Sequence, residues 1–374
     1  MDSPIREAQR YGQSIWYDNI SRNLLVSGGL RSLVDQGITG VTSNPTIFEK
    51  AVASGVDYDD DLLKFEGTRA SVQEVYESIA IQDIRDATDL LYPVYERTKS
   101  LDGYVSLEVS PFLANDTEGT VIEAERLFKA VGRPNLMIKV PGTTEGIPAI
   151  RSLIGKGINV NVTLIFSLES YKMVQEAYID GLEDLDQSGK YLGNVASVAS
   201  FFVSRVDTAV DTLINKYIAQ GSGYLENYLG KAANANAKLA YQSFKETFQS
   251  KRFASLMAKG AQIQRPLWAS TGTKNPAYSD LAYIEPLIGL NTVNTMPPNT
   301  LEAFQDHGRV ASTIEQNVEE AKDTFEVLEK TGIKMEEVTG KLLIDGVNSF
   351  AESFGNLLTN IEQKKTKLVS LNSI

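Results

Sequence analysis

Short β-rich segments separated by longer helical patterns recur along this 374-residue chain, and that alternation constrains its fold more than any other feature. Strand-like runs are expected at 14–17, 38–43, 104–109, 136–140, 158–162, 196–203, 266–270 and 291–295. Several are apolar on both faces, as parallel strands covered by helices are. Between them lie helix signals. Ser71-Val72-Gln73-Glu74 reads as a capping box opening a long helix towards Thr98, with a bend expected near Pro93. Thr120-Val121-Ile122-Glu123 reads as a second box, opening 121–131 and closed by Gly132. After Thr295 the pattern is almost entirely helical from 300 to 367. Eight strands alternating with helices predict an α/β fold, a single (β/α)8 TIM barrel spanning 1–374 with a helical extension over about 298–374. No Pro/Gly/Ser-rich linker or internal repeat argues for a split.

In such a barrel the site lies at the C-terminal ends of the strands. The polar residues expected there are Asp18, Asn44, Glu108, Lys139, Asn161 with Thr163, Ser200, Ser270 and Asn294. What the chain lacks narrows the chemistry. With no Cys there are no thiol nucleophiles, thiolate metal sites or disulfides, and one histidine, His307, cannot build a two-histidine metal site. Reactive groups are therefore expected among Lys, Asp, Glu, Ser, Thr and Tyr, with no metal. A net charge of −12 argues against general nucleic-acid binding. No run of about 18 apolar residues predicts a membrane span. The N-terminus shows no signal-peptide pattern, so a cytoplasmic chain, or the processed form of an organelle protein such as one from a plastid, is expected.

Lys139 interrupts the apolar run Leu136-Met137-Ile138-Lys139-Val140-Pro141. Burial disfavours an ammonium ion, and a free amine can attack a carbonyl to form a Schiff base. The competing reading is a lysine that snorkels or pairs with a buried carboxylate. Asp18 and Glu108 are carboxyl groups at strand ends, suited to proton shuttling around an amine. Taken singly, each favours a bland role, a helix cap for Asp18 and an inward ion pair for Glu108. Asn44, Asn161 and Thr163 can hold hydroxyls or a water without adding charge, although Asn44 before Pro45 is also ordinary turn chemistry. Ser200, Arg205, Ser270 and Lys274 are candidates for an anion, since barrels often hold a substrate phosphate after a late strand.

Other motifs fail. Gly230-Lys231-Ala232 lacks the upstream glycine and hydroxyl of a phosphate-binding loop. Asp57-Tyr58-Asp59-Asp60-Asp61 lacks the glycine of a calcium loop and reads as a solvated acidic surface. His307-Gly308 reads as a helix C-terminus.

The residues resemble the transaldolase family, in its longer bacterial and plant form. Gly40-Val41-Thr42-Ser43-Asn44-Pro45-Thr46, the segment from Leu136 to Ile147 and the segment from Gly157 to Ser167 are similar to three family stretches in order and spacing. The resemblance runs from about Ser14 to Pro297. It implies a class I aldolase-like barrel that needs no cofactor and acts on sugar phosphates, as a monomer or a homodimer. The implied reaction moves a dihydroxyacetone unit from sedoheptulose 7-phosphate to glyceraldehyde 3-phosphate, giving erythrose 4-phosphate and fructose 6-phosphate in the pentose phosphate pathway. By the same resemblance Lys139 is the Schiff-base nucleophile and Asp18 the acid/base at C–C cleavage. Glu108 acts through a water that Thr163 positions. Asn44 and Asn161 hold the dihydroxyacetone hydroxyls, and Ser200, Arg205 and Ser270 face the distal hydroxyls and phosphate. One departure stands out. Shorter members carry an arginine just after the serine matching Ser270, whereas here the nearby cation is Lys274, beyond Thr271-Gly272-Thr273. Lysine is a point charge without arginine's bidentate fork. The alternatives are a Schiff-base aldolase on the same fold and a catalytically silent sugar-phosphate-binding barrel.

Overall fold

A computed structural model describes residues 3–372. Eight parallel strands close into a barrel in sequence order: β1 Gln13–Tyr17, β2 Gly40–Val41, β3 Tyr104–Glu108, β4 Leu136–Pro141, β5 Val160–Ile165, β6 Ser197–Phe202, β7 Arg265–Ala269 and β8 Thr292–Met296. Pairing of β1 with β8 completes the ring. The expected (β/α)8 architecture is therefore observed. β3 to β8 are buried almost along their length, because helices cover their outer faces and side chains fill the interior.

Local chemistry explains individual elements. Ser71 and Glu74 form the reciprocal capping box expected for the Val72–Arg97 helix, which continues through Pro93. The second expected box is not formed. The Thr117–Val131 helix starts a turn earlier, because Asp116 accepts from Gly119 N. Glu123 instead accepts from Ser110 N at 2.7 Å. β2 shrinks from the expected 38–43 to two residues, where Gly40 lies against Trp16. A Cβ at Gly40 would meet the indole at 2.4 Å, so only glycine admits that ring to the barrel interior. The run 57–61 is a solvated surface only in part, with Asp57 and Asp60 exposed. Tyr58 is fully buried and donates to Asp83, while Asp61 is paired with Arg22 and Lys64.

At the N-terminal end of the barrel Asp102 and Arg265 are both buried. Arg265 donates to Ser14 Oγ at 2.7 Å and to Leu101 O at 2.8 Å, and Trp16 Nε1 donates to Asp102 at 2.6 Å. This pairing seals the end opposite the site.

After β8 come the helices Pro298–His307, Val318–Thr331 and Met335–Asn372. His307 closes the first of them before Gly308, as expected, and 308–317 between the first two is irregular. The last helix packs back on the Pro45–Ala53 helix that follows β2. Phe354 meets the Tyr76 and Phe112 rings edge-on at 5.3 and 5.6 Å. Ser353 accepts from Thr46 at 2.9 Å, and Lys364 pairs with Asp59 at 2.8 Å. The tail is thus laid across the C-terminal rim. Among the described residues no helix is long and apolar enough to cross a membrane.

Candidate active site

The C-terminal face of the barrel opens into a cavity of about 540 Å³. Of the eleven residues singled out from sequence, Asp18, Asn44, Lys139, Thr163, Ser200, Arg205, Ser270 and Lys274 line it, whereas Asn294 is fully buried in β8 and does not. Glu108 and Asn161 do not either, but each touches a residue that does.

Lys139 sits near the end of β4 in register with Glu108 on β3 and Asn161 on β5. It is 5% exposed, which makes its ammonium costly unless partnered. Its Nζ donates to the Ser43 carbonyl at 2.9 Å and lies 3.3 Å from Glu108 Oε2. The second contact is an ion-pair approach without hydrogen-bond alignment. Burial raises the Glu108 pKa, opposed by the Lys139 charge.

Asp18 follows β1, and its Oδ1 accepts from Thr42 Oγ1 at 2.6 Å. Burial raises its pKa too, opposed first by the Thr42 hydroxyl and then by the charges of Lys139 and Lys274. Two carboxyl groups whose charged forms are disfavoured by burial therefore lie near one amine, an arrangement that suits proton transfer.

β5 runs to Ile165, three residues beyond the expected strand, with a register shift between Val162 and Ile165. Leu164 has φ +58°, a left-handed conformation that costs a branched-chain residue energy. The bulge lies next to Thr163, whose buried Oγ1 has no hydrogen-bond partner among the described residues. A β-bulge beside a site re-aims a side chain in this way. Asn161 is fully buried one layer down, donating to Ser106 Oγ at 3.0 Å and accepting from Ser200 Oγ at 2.7 Å. It reaches the cavity through Ser200. Asn44 does two things at once, capping the Pro45–Ala53 helix through Ile47 N at 3.0 Å and lining the cavity.

The cationic end is built from β6 and β7. Arg205 opens the Ser204–Ala219 helix and stands 5.6 Å over the Phe202 ring. Ser270 is held at φ +54°, with its carbonyl accepting from Ser204 N at 3.1 Å. Desolvation and then the Arg205 charge lower the Lys274 pKa, opposed by the charge of Asp18, so two cations share this end and among the described residues neither is in an ion pair. Such a pair favours an anion carrying more than one charge.

Sequence reasoning passed over several lining residues. Ile47, Lys50, Ala51 and Ser54 face the cavity at helical spacing from the Pro45–Ala53 helix and its end, a face the period-3.6 pattern could have exposed. Thr42 and Thr295, 2.7 Å apart, form a hydroxyl pair beside Asp18. Thr42 lay within a motif already noted, but its partner is 253 residues away. Phe350 reaches the cavity from the tail, with no local signal.

Comparison with known proteins agrees with this geometry. The sequence model of the transaldolase/fructose-6-phosphate aldolase family matches residues 15–361. The chain is 50% identical to the transaldolase of Trichodesmium erythraeum over 370 residues, covering 97% of each chain. It is 49% identical to that of Thiobacillus denitrificans over 357 residues, 95% of this chain and 99% of that one. It is 46% identical to that of Mycolicibacterium smegmatis over 349 residues, 93% of both. A buried lysine near two carboxyl groups of raised pKa, on a barrel whose sequence aligns nearly end to end with these proteins, leads to one conclusion: the chain belongs to the transaldolase/fructose-6-phosphate aldolase family and is an enzyme that transfers aldehyde or ketone units.

Proposed function

We propose that this enzyme transfers a dihydroxyacetone unit between sugar phosphates through a Schiff base on Lys139. Sedoheptulose 7-phosphate is the donor and glyceraldehyde 3-phosphate the acceptor, within the pentose phosphate pathway of the cytoplasm. The whole chain acts as one unit, with its helical extension completing the site. The observation that carries the reading is the buried Lys139 amine 3.3 Å from Glu108, facing a cavity whose other end holds Arg205 and Lys274.

The chemistry follows from those positions. The amine attacks the ketose C2 carbonyl, giving a carbinolamine that loses water to form an iminium ion. Asp18 takes the proton of the C4 hydroxyl as the C3–C4 bond breaks, and the electron pair passes into the imine as an enamine. The aldose leaves. The acceptor aldehyde then reacts with the enamine while Asp18 returns its proton. Glu108 serves carbinolamine formation and imine hydrolysis through a water held by Thr163, whose free hydroxyl faces the cavity. Asn44 binds dihydroxyacetone hydroxyls, and Asn161 acts on them through Ser200, whose hydroxyl it holds at the cavity wall. Arg205, Ser270 and Lys274 bind the phosphate, the lysine standing in for an arginine.

Borohydride trapping with fructose 6-phosphate, read by peptide mass spectrometry, tests this. A reduced three-carbon adduct on Lys139 is expected, and erythrose 4-phosphate added before the reductant should discharge it into sedoheptulose 7-phosphate. An adduct that forms but releases only free dihydroxyacetone identifies an aldolase instead. A folded protein unmodified at Lys139 refutes the mechanism.

A further inference from the structure

The Ser204–Ala219 helix carries Arg205 at its start and, one turn apart on one face, Asp207 and Asp211. Both carboxyl groups are buried, at 1% and 8% exposure, and neither is in an ion pair among the described residues. Buried acids without a counter-charge are costly, so their hydrogen bonds carry the explanation. Asp207 accepts from Ala233 N at 2.7 Å and from the Tyr283 hydroxyl at 2.9 Å. Asp211 accepts from Gly230 N at 3.0 Å and from the Tyr278 hydroxyl at 2.7 Å. The Ala233 donor belongs to the start of the Ala232–Phe248 helix, where a negative charge is favoured, and Gly230 lies just before its N-cap. The tyrosines belong elsewhere: both lie on the segment between β7 and β8 that also carries Ser270 and Lys274.

That segment is short of regular structure, but the part around Lys274 is closed. Thr273 Oγ1 donates to Ser279 O at 2.8 Å, and Ala277 N and Tyr278 N both return to Asn275. Lys274 therefore lies inside a small ring of chain whose far side is Tyr278. The Tyr278 ring packs on Gly230, where a Cβ would meet it at 2.8 Å. Its hydroxyl ends on Asp211, on the same helix as Arg205.

The geometry points to Tyr278 and Asp211, supported by Tyr283 and Asp207, as positioning residues that hold the Lys274 loop at a fixed distance from Arg205 so that both cations engage one phosphate. Two cations brought together repel, as the lowering of the Lys274 pKa by Arg205 reflects, and a tether must oppose that repulsion before the anion arrives. Charged hydrogen bonds from phenols to carboxylates supply it without adding a positive group near the site. The inference rests on reading the cationic end as a phosphate site and adds how that end is preorganised.

The test is Tyr278→Phe in the full-length enzyme, with Asp211→Ala and Asp211→Asn beside it. Calorimetry with inorganic phosphate reads the tether without requiring turnover. Dissociation constants are expected to rise about tenfold for Tyr278→Phe and Asp211→Ala, the scale of one charged hydrogen bond, with partial recovery in Asp211→Asn. KM for fructose 6-phosphate should rise by the same factor with kcat within about twofold, and turnover of unphosphorylated fructose should be unchanged. A phosphate affinity equal to wild type in folded Tyr278→Phe overturns the inference. So does an equal loss for fructose and fructose 6-phosphate, which marks a general structural role. A wild type that binds phosphate but fails to turn over fructose 6-phosphate refutes the functional reading alone, and the calorimetric comparison still decides this one.

Discussion

Lys139 Nζ and Glu108 Oε2 are 3.3 Å apart on residues that are register partners of adjacent strands. The pairing of β3 with β4 thus fixes an amine beside a carboxyl group in a buried setting before any ligand binds. Lys139→Met removes the amine while conserving apolar bulk. Transfer activity is expected to fall by about 10⁴-fold or more, the scale for a deleted nucleophile, and borohydride should trap nothing at that position. Retained trapping elsewhere with retained turnover would show that Lys139 is not the nucleophile.

Glu108→Gln leaves the amine with a neutral neighbour and should lower kcat by about 10²- to 10⁴-fold, the range for a lost general acid/base. Imine formation and hydrolysis become slow together, so the trapped adduct should build up over minutes instead of within mixing time. Rapid-quench trapping distinguishes this from a folding defect, in which no adduct forms.

Thr42 donates to Asp18 at 2.6 Å, and that bond holds the carboxylate pKa down against burial. Removing the donor in Thr42→Val raises the Asp18 pKa further. A base must be ionised to accept the C4 hydroxyl proton, so the acidic limb of the kcat profile should move to higher pH in the variant. A pH–rate profile with an unmoved acidic limb would dissociate Asp18 from that limb.

Burial pushes Asp207 up to about 6, opposed by the Ala233 N–H and the Tyr283 hydroxyl and reinforced by Asp211. An acid whose folded pKa lies above its unfolded value favours the folded state most below the unfolded value. That contribution is lost as pH rises from about 4 to 6. At about 1.4 kcal/mol per pKa unit the loss is about 3 kcal/mol. Asp207→Asn keeps an acceptor for Ala233 and has no charge to bury, so its stability should be flatter between pH 4 and pH 7 on the order of that difference. Denaturant unfolding at the two pH values measures it, and an identical pH dependence in variant and wild type would contradict the assignment.

Phe350 is an apolar group on the cavity wall supplied by the tail helix. In Phe350→Ala, water gains access to the enamine, and the share of turnovers ending in free dihydroxyacetone should rise. Folding stability should fall by about 3 kcal/mol, at the low end for a buried phenylalanine because one side of the ring faces the cavity. Product analysis by chromatography gives the ratio, and an unchanged ratio would remove the tail from the chemistry.

The sequence by itself determined the barrel and most of its rim. Strand and helix periods are local, so eight apolar runs with helical spacers could be placed before any contact was known. The polar residues ending those runs had to gather at one face, which is why Asp18, Lys139, Ser200 and Ser270 were legible. Only the tertiary structure decided the rest. Thr117–Val131 took Asp116 as its cap over Thr120 because Glu123 was drawn to Ser110 N. The bulge at Leu164 turned an expected strand end into a strained shoulder beside Thr163. Asn161 went one layer below the cavity because Ser106 and Ser200 satisfy it there. Phe350, the Thr42–Thr295 pair and the tyrosine–aspartate tether join residues tens to hundreds of positions apart. No local pattern encodes such meetings, because they depend on which faces remain uncovered once the barrel has closed.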